Sequence, residues 1–211
     1  MTTITRDAIL EWIKTFAVVI HDQKDYLTEL DSAIGDADHG ANMDRGMQAV
    51  SGKLPSIADH DIGAIFKTVA MTLISTVGGA SGPLYGTLFL QMAAPTAGKT
   101  ELTLEEWTAA LESGINGVQS RGKAQLNDKT MVDALSPALV ALKEASANNV
   151  SLKEALQQSA DAAMRGRDSI TPIIARKGRA SYLGERSMNH QDPGATSAHL
   201  LLQAAADKLA L

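Results

Sequence analysis

Apolar residues return along the chain at steps of three and four, the spacing that lines one face of an α-helix. Ile9, Ile13, Phe16 and Ile20 form one stripe; Ile62, Ile65, Phe66, Val69 and Leu73 form a second. Leu104, Trp107, Leu111, Ile115 and Val118 make a third, and Val132, Leu135, Leu139 and Leu142 a fourth. Start signals accompany them. Thr103 to Glu106 and Ser151 to Glu154 have the form of a capping box, a hydroxyl followed three residues later by a carboxylate. Asp192-Pro193 reads as an N-cap with proline at the first helical position, opening a last helix over 193–209. Strand alternation is missing, and the ambiguous apolar run 84–92 reads as helix. The pattern predicts an all-α chain of about eight helices.

Between the periodic segments lie four stretches rich in glycine and polar residues: 31–40, 77–86, 120–130 and 175–194. Their length exceeds what a plain helix connection needs, and such loops tend to carry function. The composition narrows what that function is. With 211 residues and no linker-like tract, one domain spanning 1–211 is expected. Hydrophobic residues are 45% of the chain, enough for a sizeable core. No cysteine is present, which excludes disulfides, thiolate metal sites and a cysteine nucleophile. A net charge of −5 and only 4% aromatics argue against a nucleic-acid groove. No apolar run is long enough to span a membrane, and the N-terminus does not read as a secretory signal, so a cytoplasmic protein is expected.

The first polar stretch holds Asp31, Asp36 and Asp38, with glycines at 35 and 40 and with His39 and Asn42 close by. Carboxylates crowded in a glycine-punctuated loop repel one another unless a cation neutralises them, and oxygen ligands suit a hard cation. The EF-hand spacing is absent, and magnesium, which takes few protein carboxylates, fits better than calcium. A solvated turn with helix caps is the plain structural alternative, in which His39 is a capping or supporting residue. The stretch Gly78-Gly79-Ala80-Ser81-Gly82-Pro83 offers backbone N–H groups and a hydroxyl to an anion at a helix start, without the lysine of a Walker loop; alone, it also fits a tight turn. The third stretch carries Arg121, Gly122 and Lys123 and then Asp128 as an expected N-cap; it suits a phosphate or nucleotide, or an exposed basic turn. The fourth carries Arg176, Lys177, Arg179 and Arg186, a cationic segment able to grip phosphate, to form rim salt bridges or to close over a ligand. Together the four describe cations, anion-binding backbone and little covalent apparatus, which is what phosphoryl transfer requires.

Four segments in order then resemble one family: Leu30 to Met43 (LDSAIGDADHGANM), Gly78 to Gly86 (GGASGPLYG), Arg121 to Ala124 with Asp128 to Met131, and Gly178 to Ser187 with His190 to Ala195. They are similar to the motifs of the L subunit of bacterial dihydroxyacetone kinase, over nearly the whole chain. The resemblance implies a closed barrel of eight antiparallel helices with the nucleotide at one end. It implies that Asp31, Asp36 and Asp38 bind two Mg2+ ions, and that His39, Gly40, Ala41, Asn42, Ala80, Ser81, Gly122, Met131, Arg179, Asp192, Pro193 and Gly194 line the site of an ADP/ATP coenzyme. No side chain of this chain is implied as a covalent or acid–base catalyst.

The implied partners are a K subunit carrying dihydroxyacetone and a phosphotransferase-system M subunit that rephosphorylates ADP in place. Related readings are an L-type subunit of another small-ketose, sugar-acid or fatty-acid kinase, and a nucleotide-loaded ligand of a transcription regulator; a homodimer is also compatible. Asn127 and Asn189 stand where glycine is expected in the pattern, and asparagine is among the residues that tolerate a left-handed backbone.

Overall fold

In a computed structural model, which describes residues 3–210, every stripe predicted from the sequence lies on a helix. Met1, Thr2 and Leu211, included in the expected single domain, lie outside the described residues. The helices are α1 (Arg6–Ile34), α2 (His39–Lys53), α3 (Ile62–Thr76), α4 (Ser81–Ala93), α5 (Leu104–Gly122), α6 (Val132–Ala147), α7 (Leu152–Ser169) and α8 (Pro193–Lys208). The run 84–92 is helical, within α4.

Local signals explain most of the starts. Thr103 and Glu106 complete a reciprocal capping box at α5. Asp192 accepts the N–H of Ala195 at 2.7 Å, with Pro193 at the first helical position of α8. The second expected box is only half formed. Ser151 accepts the N–H of Glu154, but the Glu154 carboxylate turns outward to Gln158. Two strands, each of two residues and so too short to alternate, complete the fold: β1 (Ile4–Thr5) pairs antiparallel with β2 (Glu101–Leu102).

Each helix packs on the next, and α8 packs back on α1, closing a ring of eight. Short connections make successive helices run in opposite directions, the barrel topology expected from the resemblance. The interior is filled by side chains. Trp12 stands edge-on to Trp107 at a centroid distance of 5.1 Å and to Phe66 at 6.2 Å. Its indole N–H reaches the carbonyl of Leu201 on α8 at 2.9 Å, tying the first helix to the last through the core.

The alternation has a consequence for the site. The C-terminal ends of α1, α3, α5 and α7 and the N-terminal ends of α2, α4, α6 and α8 fall at the same end of the barrel. The connections joining them are the four polar stretches singled out in the sequence, although helix consumes much of each. Between α1 and α2 only residues 35–38 are non-helical, and 179–187 form a 3₁₀ segment (Arg179–Ser187).

Candidate functional site

At that end of the barrel a cavity of about 190 Å³ is walled by all four connections. Its acidic side is built at the end of α1. One carboxylate oxygen of Asp31 accepts the N–H groups of Asp38 and His39, at 2.8 and 3.1 Å. Ala37, between the other two aspartates, takes a left-handed backbone (φ 61°), which reverses the chain there. A non-glycine residue in that region carries a cost of about 1–2 kcal/mol, so the surrounding structure must impose it. Gly35 is required for a different reason: a Cβ there would lie 2.0 Å from a carboxylate oxygen of Asp31. The result is that Asp31, Asp36 and Asp38 each offer an oxygen, all within 4.8 Å of one another. Ligands of one octahedral magnesium ion stand about 3–4 Å apart, from a metal–oxygen distance of about 2.1 Å, so this donor set fits a hard divalent cation.

Opposite the aspartates the cavity is lined by Gly78, Gly79, Ala80 and Ser81 at the start of α4. No side chain caps that helix end, leaving its first N–H groups for another acceptor, whereas the first N–H groups of α6, those of Val132 and Asp133, are taken by the hydroxyl and carbonyl of Thr130. Arg179, on the 3₁₀ segment, reaches across to Asp36 at 2.9 Å. Both partners are substantially exposed, so the pair adds little stability; its effect is to place a guanidinium beside the acidic cluster.

His39 is buried at the first turn of α2. Its Nε2 lies 2.9 Å from the Ser197 hydroxyl and its Nδ1 3.1 Å from that of Ser81. Burial lowers its pKa, against the pull of Asp31 and Asp38. Asp192 is half-buried in the cavity wall. Loss of solvent pushes it up to about 7, helped by the charges of Asp133 and Asp31 and opposed by the Ala195 N–H and by Lys129.

An adjoining cavity of about 280 Å³ shares Ala80, Leu84, Thr130 and Met131 with the first. Pro83, Val118 and Val132 make it the more apolar of the two, and Gly122 sits in its wall. One chamber thus carries the acidic cluster, and the next is the more apolar.

Of the residues singled out in the sequence, the structure brings Asp31, Asp36, Asp38, His39, Ala80, Ser81, Met131, Arg179, Asp192, Pro193 and Gly194 into the first cavity. Gly122 lies in the second, reached through Met131. Gly40, Ala41 and Asn42 line neither. Gly40 packs α2 on α1, where a Cβ would come within 1.9 Å of the Lys24 carbonyl oxygen. Ala41 is exposed on the outer side of α2. Asn42 is buried behind the 78–80 turn; it accepts Arg45 at 2.6 Å, and a Cβ on Gly78 would touch its amide.

Two further expectations change. Asp128 does not cap α6: it accepts the N–H of Gln125 and closes the turn before the helix. Asp133, inside the first turn, instead accepts the N–H groups of Asn127 and Thr130. The 175–194 segment is a pinned strap. The buried Lys129 ammonium donates to the carbonyls of Thr171, Ile173 and Ser187 at 2.9, 3.0 and 2.7 Å. Lys129, Tyr85 and Leu84 also line the main cavity, as does Lys177 of the cationic segment. In sequence, Lys129 resembles any other cation of a basic turn. Asn127 and Asn189 both adopt positive φ, 67° and 62°, the conformation that explains glycine at those places in the pattern.

The model of the DAK2 domain matches residues 33–207. The chain belongs to the DAK2 domain family. This DAK2 domain is 48% identical over 201 residues to the PEP-dependent dihydroxyacetone kinase ADP-binding subunit DhaL of Escherichia coli, covering 95% of this chain and 96% of that one. It is 44% identical to the PTS-dependent counterpart of Lactococcus lactis, covering 95% and 96%. The fold matches crystal structures of the dihydroxyacetone kinase of C. freundii. The native form superposes with a TM-score of 0.73 at 24% identity, over 94% of this chain and 34% of that one. The complex with AMP-PNP and Mg2+ gives a TM-score of 0.72, over 94% and 33%. Among the described residues no helix is long and apolar enough to cross a membrane.

Proposed function

We propose that this DAK2 domain is the nucleotide-binding subunit of a phosphoenolpyruvate-dependent dihydroxyacetone kinase, a cytoplasmic enzyme. It holds ADP as a coenzyme that an M subunit recharges, for use on dihydroxyacetone carried by a K subunit. The carrying observation is the meeting of Asp31, Asp36 and Asp38 in one cavity with the uncapped start of α4 and with Arg179. Likeness over almost the full length to ADP-binding subunits supports the same reading.

The three aspartates would hold two Mg2+ ions, which supply charge neutralisation for the phosphate oxygens. The free N–H groups at Gly79 to Ser81 and the Arg179 guanidinium would orient the phosphates. The apolar chamber of Leu84, Val118, Met131 and Val132 would accept the base. Asp31 has one oxygen engaged with the backbone N–H groups of Asp38 and His39, so its position does not depend on the cation. No side chain in the cavity is arranged as a covalent nucleophile with an adjacent base, which suits positioning rather than covalent chemistry.

Reconstituted transfer tests the proposal. The purified chain, supplied with K and M subunits, phosphoenolpyruvate and the general phosphotransferase components, should form dihydroxyacetone phosphate, and Asp36→Asn should abolish this while partner binding persists. Dihydroxyacetone phosphate formed equally well by the variant would refute it.

A further inference from the structure

A line of hydrogen bonds runs from the core to the cavity. The Tyr85 hydroxyl lies 2.7 Å from Ser197 Oγ, Ser197 lies 2.9 Å from His39 Nε2, and His39 Nδ1 lies 3.1 Å from Ser81 Oγ. Tyr85 and Ser197 are 1% and 0% exposed, so their protons must be placed within the protein. A phosphate oxygen only accepts, so a Ser81 hydroxyl that serves it must point its proton into the cavity. That proton is then unavailable to His39, and Nδ1 must carry its own and donate it to Ser81. A ring whose one proton sits on Nδ1 leaves Nε2 bare and in need of a donor, and the neighbour in place is Ser197. Tyr85, whose hydroxyl has Ser197 as its partner, donates in turn and leaves no buried proton unpaired. Each bond follows from the one before it.

We propose that Ser197, itself held in place by the Tyr85 hydroxyl, is a positioning residue that holds His39 as its Nδ1–H tautomer, so that the Ser81 hydroxyl presents its proton to a nucleotide phosphate. The inference rests on reading the cavity as a phosphate site. The opposite order is also self-consistent without a phosphate: Ser81 donates to Nδ1, Nε2–H donates to Ser197, and Ser197 donates to the Gly194 carbonyl, 3.1 Å away. It leaves only lone pairs facing the cavity, which would repel an anion. Neither Ser197 nor Tyr85 touches the aspartates; they act through His39.

The direct test is ¹⁵N NMR of the histidine side chains in the Mg·ADP complex, with His39 assigned by the signals lost in His39→Gln. We expect a protonated Nδ1 and a bare Nε2. Ser197→Ala should shift His39 away from this tautomer and weaken ADP binding about tenfold, the worth of one hydrogen bond to a charged group. Tyr85 donates to Ser197 in either order, so Tyr85→Phe, with its ring still packed on Phe16, should leave the tautomer unchanged; if Ser197→Ala fails to fold, the wild-type spectrum decides the matter. A bound complex with Nε2–H, or unchanged tautomer and affinity in a folded Ser197→Ala, overturns the inference. Wild-type protein that binds no Mg·ADP overturns the phosphate reading beneath it, a separate result.

Discussion

One oxygen of the Asp31 carboxylate accepts the backbone N–H of His39 at 3.1 Å, eight residues along the chain, and also that of Asp38 at 2.8 Å. A single side chain therefore caps α2 and carries one third of the acidic cluster. The two tasks separate by substitution. Asp31→Asn keeps an acceptor for the backbone but removes the charge, so it should abolish magnesium-dependent nucleotide binding while the melting temperature of the nucleotide-free protein stays within a few degrees. Asp31→Ala should lose the cap too, at about 1 kcal/mol. Thermal melts beside nucleotide titrations check this; equal nucleotide affinity in Asp31→Asn and wild type would contradict it.

Lys129 holds the strap through three carbonyls, and that arrangement predicts a stability effect larger than a surface lysine could give. Lys129→Met leaves three acceptors at 171, 173 and 187 without their donor and should cost about 3 kcal/mol. The first cleavage by a protease should move into 175–190. A variant as stable and as protease-resistant as the wild type would show that the strap is held otherwise.

Asp192 gives the cavity a pH dependence. Its carboxyl titrates near 7 when folded, above the ordinary value of 3.8. The folded state thus holds a proton that the unfolded state has released, and stability contributed at low pH is lost as pH rises from about 4 to about 7. Asp192→Asn retains an N-cap of equal quality and removes the titration. In nucleotide-free protein the variant should gain melting temperature over wild type as pH rises from about 4 to about 7. Parallel curves across that range would contradict the assignment.

Asn189 and Asn127 show how far the sequence could be read. Both depart from a glycine pattern, and both occupy the left-handed region that glycine would. Asn189→Gly should leave folding and nucleotide binding almost unchanged, whereas Asn189→Val should cost about 1–2 kcal/mol. Denaturant unfolding of the pair decides it; a harmless valine would mean that the turn relaxes freely.

The helical stripes were legible because burial in a ring imposes a single apolar face on each helix, and the stripe of α5 from Trp107 to Val118 is buried as its spacing required. The acidic cluster was legible because three carboxylates fall within eight residues of a glycine-punctuated loop, where a turn such as the one at Ala37 brings them together. What stayed hidden depends on distance along the chain. Tyr85 and Ser197 are separated by 112 positions and look like ordinary helix residues, Lys129 looks like a solvated cation, and Asp133 takes the capping role expected of Asp128 because the turn at 125–128 uses Asp128 itself. A two-residue bridge such as Ile4–Thr5 with Glu101–Leu102 is too short to alternate.

The central claim is that the aspartates grip divalent ions that in turn hold a nucleotide. Calorimetric titration of the nucleotide-free protein with ADP, with and without Mg2+, tests it most directly when run on wild type and Asp36→Asn. Binding that requires Mg2+ in the wild type and falls at least a hundredfold in a normally folded Asp36→Asn is the predicted result. ADP binding of equal strength in both proteins, indifferent to Mg2+, would contradict it.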